Sequence, residues 1–115
     1  MKMKNGRIAI ITAAMLGTVF SATAFAAADD AAAKKYMKKH DCFKCHAEDK
    51  TKKGPSYKKI ADKYKDKADA DAKMYEHMTS SKKVKLEDGT EEEHKALDKS
   101  EDKDIKNIIT WIRER

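Results

Sequence analysis

Residues 41–46 read DCFKCH, Asp41 to His46. They hold the chain's two cysteines, Cys42 and Cys45, with His46 directly after the second. A Cys-x-x-Cys pair serves dithiol redox switches, zinc sites and haem attachment sites, and each needs different surroundings. A thioredoxin-like switch needs a βαβ context, and no stretch of this sequence alternates as a strand does. A structural zinc site needs four ligands, so two histidines at suitable spacing would have to join the pair. A plain disulfide across two intervening residues is rare. The order C-x-x-C-H is instead the attachment sequence of a c-type haem. The two thiols add across the haem vinyl groups as thioethers, and the adjacent imidazole is held under the iron as an axial ligand. The motif therefore predicts one covalent haem c on Cys42 and Cys45, with His46 as the proximal iron ligand.

The N-terminus decides which residues accompany that motif. Lys2, Lys4 and Arg7 precede an apolar run, Ile8–Phe20, and then Ser21-Ala22-Thr23-Ala24-Phe25-Ala26. A basic segment, an apolar segment and a small-x-small site form a secretory signal peptide. Residues 1–26 are expected to be removed, leaving 27–115 as one domain of 89 residues. The apolar run is shorter than the ~20 residues of a spanning helix, which argues against an uncleaved anchor. The whole chain carries 26 basic and 20 acidic residues, net +6; loss of the three basic signal residues leaves +3. This modest charge, interleaved along an exported chain, makes a nucleic-acid partner a poor reading. A domain this small has a marginal core, which a large bound apolar group would help.

Helical patterning dominates what remains. Residues 29–40 (DDAAAKKYMKKH) offer an aspartate cap, alanines, and lysines where the dipole wants cations. Ala47–Pro55 reads as a loop. Ser56 caps a second helix with Tyr57, Ile60, Ala61 and Tyr64 on one face. Asp69 or Asp71 opens a third, Ala70–Thr79. Ser80–Lys99 is a long charged loop with a turn at Asp88-Gly89, and Glu91–Lys95 has the makings of one helical turn. The last helix follows Ser100, in a start close to a capping box. Ile105, Ile108, Ile109 and Ile112 then repeat at helical spacing, with Trp111 beside them. The expected class is all-α, about four helices around the haem, with little or no sheet.

With these residues in place, the mature chain resembles the small bacterial class I cytochromes c that carry a single haem. The N-terminal helix leading into DCFKCH, the Lys53-Gly54-Pro55-Ser56-Tyr57 segment and the closing Ile-rich helix with Trp111 carry the resemblance. It implies that the first helix packs on the last through Tyr36 and Met37. It also implies that the Pro55 carbonyl orients His46, an outer contact that fixes ring orientation and basicity.

The resemblance fails on the other face of the iron. The family places a methionine on a proline-rich loop shortly before the last helix. Here Val84–Lys99 has neither methionine nor proline, but His94 stands six residues before Ser100, at the family's spacing. His46/His94 ligation is the expectation. Met78 is the alternative distal ligand, with Met74 behind it and an open iron site as a third possibility. His40 and His77 are expected on the surface, His77 facing away from Met74 and Met78.

The resemblance implies a periplasmic, monomeric one-electron carrier that is soluble after signal cleavage, not an enzyme, and that meets redox partner proteins. Two nitrogen ligands would make it a low-potential carrier, since methionine ligation raises the potential. Lys38, Lys39, Lys44, Lys50, Lys52 and Lys53 are candidates for a docking rim. A haem-based sensor or binder of small gas ligands is the rival class, should the distal ligand detach.

Overall fold

A computed structural model describes residues 27–115, together with the single position 17; the signal segment read over 1–26 lies otherwise outside the described residues. The elements run α1 (Asp30–Lys39), α2 (Cys42–Cys45), α3 (Tyr57–Tyr64), α4 (Ala70–Thr79), β1 (Lys83–Lys85), β2 (Glu91–Glu93), a 3₁₀ turn (Lys99–Glu101) and α5 (Asp102–Arg113).

Helix α1 starts because the Asp29 side chain accepts a hydrogen bond from the Ala32 backbone N–H at 3.0 Å, satisfying a donor that the helix itself leaves free. It stops at Asp41, whose φ of 59° puts it in the left-handed region. Aspartate is among the few non-glycine residues that tolerate this conformation. The reversal turns the chain straight into α2, one turn of helix that carries both cysteines. Ser56 caps α3 as expected, accepting from the Lys59 N–H at 3.1 Å.

The core forms where α1, α3 and α4 pack on α5. All four isoleucines of α5 are buried, and Trp111 is fully so. The Trp111 indole N–H donates to Asp30 at 2.7 Å, so the ring is buried without an orphaned donor. Tyr57 meets it edge-on at 5.3 Å between centroids. Tyr36 and Met37 are buried from the α1 side, and the Tyr36 hydroxyl donates to Glu101 at 2.6 Å. At the far end of the crossing, Asn107 and Asp29 exchange two hydrogen bonds of 2.9 and 3.0 Å.

Two local expectations are corrected. Residues 83–93 form an antiparallel hairpin, with Lys83 opposite Glu93, Val84 opposite Glu92 and Lys85 opposite Glu91. Glu91–Lys95 is thus strand and loop, not a helical turn. Its pattern gave no strand signal, because the residues opposite one another are lysines and glutamates and Val84 alone is apolar. The last helix is preceded by a 3₁₀ turn capped by Asp98, which accepts from the Ser100 N–H at 2.9 Å; Ser100 is not the cap. The five helices of the described residues, α2 being a separate single turn, agree with the all-α class of about four helices expected.

Acid sensitivity follows from the carboxylates that join the first and last helices. The Trp111 N–H, then Lys34, hold Asp30 below the usual carboxylate range. The Tyr36 hydroxyl and then Lys39 do the same for Glu101. A carboxyl depressed in the fold stabilises above its unfolded pKa, and that contribution is lost as pH falls through the folded value. Thermal midpoints should therefore hold steady from neutral pH to about pH 5 and drop below about pH 4. Asp30→Asn should flatten part of the drop, measured by circular dichroism melts across pH.

Candidate functional site: the haem cavity

The sequence builds the proximal side within fifteen residues. His46 follows α2 directly, and its ring returns under Pro55. His46 Nδ1 lies 2.6 Å from the Pro55 carbonyl oxygen. A carbonyl can only accept, so Nδ1 carries the proton and Nε2 keeps its lone pair. Proline removes its own N–H from the segment, and Gly54 lets the backbone approach. A Cβ on Gly54 would stand 2.7 Å from His46 Cε1 and 3.1 Å from Nδ1. The Gly54 N–H donates to the Cys45 carbonyl at 2.8 Å, which ties the cysteine turn to the proline segment.

Cys42 and Cys45 are half-buried, and both sulfurs are free. Burial pushes the Cys42 thiol up. Both cysteines, His46 and Pro55 line a cavity of about 500 Å³, a size usual for cofactor sites. Tyr57 also lines it, and its buried hydroxyl has no protein partner among the described residues. An orphaned polar atom of this kind is what a bound group or water satisfies.

The opposite wall of the cavity comes from α4 and from the segment after β2. His94 is among its residues, as are Met74, Met78 and Leu97. The His94 backbone is fixed by its N–H to the Lys82 carbonyl at 2.8 Å, and Leu97 N–H reaches the Met78 carbonyl at 2.7 Å. His94 Nδ1 faces the Lys95 carbonyl at 3.0 Å, so its Nε2 also keeps a lone pair. The His46 and His94 ring centroids are 6.3 Å apart.

His77 departs from expectation. It lines the same cavity, half-buried, with its ring centroid 4.5 Å from that of His94. The reading that turned it away from Met74 and Met78 was wrong. Residue 77 is three beyond Met74, and i, i+3 and i+4 share a helix face. His40 is also no surface residue. It lines the cavity, meets the Tyr36 ring at a tilt with centroids 4.4 Å apart and lies 3.3 Å from Glu101. Burial is the leading cause that holds His46, His77 and His94 below the ordinary histidine range; for His77 and His94 a neighbouring histidine adds to it. All three are therefore kept neutral, the state in which imidazole binds metal.

Two free thiols on one turn, an oriented imidazole beside them, and a cavity with further donors opposite are the parts a covalent haem requires. The cytochrome c family model matches residues 30–115, and the chain belongs to that family. Among solved structures it is similar to a class 1 cytochrome, MtoD, from Sideroxydans lithotrophicus ES-1. The two share 50% identity over 76% of this chain and 97% of that one, with a TM-score of 0.73. No match to a curated protein sequence was found. The fold is that of a class 1 cytochrome c, and its cofactor is a covalently bound haem c.

The close approach at Gly54 gives a direct test. Gly54→Ala should force the His46 ring off the Pro55 carbonyl, because the contact is with a ring packed on Tyr57 at 5.4 Å and not with a flexible chain end. The ferric electron paramagnetic resonance spectrum should show shifted or heterogeneous g-values, with a lower yield of haem-loaded protein.

Proposed function

We propose that the chain is a periplasmic one-electron carrier whose iron is held between His46 and His94. The cytochrome c family works by electron transfer to and from partner proteins, and this chain is an electron carrier of that kind. The observation that carries the finer reading is the spacing of the two rings. Metal–imidazole bonds of about 2 Å, with about 1.1 Å from each nitrogen to its ring centre, set two opposed ligands about 6.3 Å apart. The His46–His94 separation of 6.3 Å agrees.

In this reading Cys42 and Cys45 form the thioethers and Pro55 orients the proximal ring. The haem supplies a one-electron couple. The protein excludes water with Leu97, Tyr57 and the methionines, and keeps both imidazoles neutral by burial. Residues 1–26 direct export and are removed; the remaining domain is a soluble monomer. Among the described residues no helix is long and apolar enough to cross a membrane.

Encounter with partners is steered by lysines around the cavity mouth. Of those expected from sequence, Lys44 lines the cavity, joined by Lys63, Lys85 and Lys95. Lys39 is instead engaged with Glu101 at 3.4 Å, and Lys52 donates to the Phe43 carbonyl at 2.8 Å. Lys44 is likewise paired with Asp41 at 3.2 Å and Lys95 donates to the His40 carbonyl at 3.2 Å, so Lys63 and Lys85 are the cavity lysines left for steering.

Ligation is tested on the ferric holoprotein by magnetic circular dichroism and paramagnetic resonance. A bis-imidazole signature without a methionine–iron charge-transfer band is expected. His94→Met should introduce that band and raise the reduction potential, as methionine ligation does. A methionine band in the unmodified protein would instead assign Met78 or Met74. Fast carbon monoxide binding to the reduced protein would favour the ligand-binding reading over the carrier.

A further inference from the structure

The wall opposite His46 holds two histidines where one ligand suffices. His94 sits in the segment after β2, and His77 sits in the last turn of α4. Their rings touch at 4.5 Å between centroids and are tilted by 53°. That is closer than two imidazoles opposed across one iron, so they share one side of the site. His77 makes no side-chain hydrogen bond among the described residues, whereas His94 is held through Nδ1. Its helix is anchored around it: Thr79 donates to the Tyr75 carbonyl at 2.8 Å and Ser80 to the Glu76 carbonyl at 2.6 Å.

We propose that His77 is a reserve distal ligand, which takes the iron when His94 leaves it. The inference rests on the His46/His94 reading. The exchange breaks one iron–nitrogen bond and forms another, with no change in iron charge, because one imidazole lone pair replaces another. The backbone favours it. The bonds that fix the distal segment, His94 N–H to Lys82 and Leu97 N–H to Met78, do not involve the His94 ring. Loss of the ring thus leaves the wall standing and opens space beside His77. Met78 competes for the same opening, but a thioether is the softer donor and suits ferric iron less well than imidazole. Met74 is 4% exposed and packed into the core, so it is not free to move. The consequence is an iron that stays six-coordinate when the distal segment moves, which suits a carrier and closes the site to small ligands.

The test uses the haem-loaded full protein and its ferric spectra. His94→Ala should retain a low-spin, bis-nitrogen signature with shifted g-values and no methionine charge-transfer band. The double variant His77→Ala/His94→Ala should lose it, turning high-spin or methionine-ligated, and added imidazole should restore it. His77→Ala alone should leave the original spectrum in place. A high-spin or methionine-ligated His94→Ala protein overturns the proposal while leaving His94 as the native ligand. A methionine band already present in the unmodified protein, or a native signature lost on His77→Ala alone, overturns the His94 reading and the reserve role with it. If His94→Ala does not retain haem, His94→Gln is read by the same criteria.

Discussion

The hydrogen bond from His46 Nδ1 to the Pro55 carbonyl joins the chemistry of this protein to its architecture. Four consecutive residues, Gly54 to Tyr57, each take a different share. Gly54 clears the space the ring occupies. Pro55 supplies the acceptor. Ser56 starts α3, and Tyr57 packs edge-on against Trp111 in the core. The proximal ring is thus braced, through one short segment, by the same indole that ties α1 to α5. A ring with one proton placed and its rotation blocked presents a single lone pair in a single direction. In the proposed ligation, the donor strength of His46 is set from the far side of the ring, away from the iron.

The distal side is built on another principle. No proline braces it, and its ligand candidates come from two elements linked by backbone hydrogen bonds. The hairpin between them keeps its lysines on one strand and its glutamates on the other. They are exposed, so salt screens them. The proximal half therefore draws its rigidity from a packed core, and the distal half from main-chain bonds.

Most of this could be read from the amino acids, and the misreadings have identifiable causes. The cysteine motif, the caps at Asp29 and Ser56, and the span of α4 were legible because each rests on local chemistry within a few residues. The burial of Ile105, Ile108, Ile109, Ile112 and Trp111 was legible from their period. The hairpin was not, because strand prediction looks for alternating apolar residues and here Val84 is the only one in either strand. His77 was misplaced by a misjudged helix face, when its position three residues beyond Met74 already put it on the inner side. His40 was missed because its burial depends on Glu101, sixty-one residues away, and no local pattern reports a contact at that distance.

The clasp between the two ends of the described chain has a consequence for timing. Ala28 and Asp29 are bonded to Glu114 and Asn107, and α1 packs chiefly on α5. The contacts that close the fold therefore join its first residues to its last dozen. Closing so long a loop costs entropy that only those final contacts repay. Before those contacts form, α1 lacks its chief packing partner. The thiols, half-buried in the closed fold, are more accessible while the two ends are unclasped, so haem attachment can precede closure without competing with it.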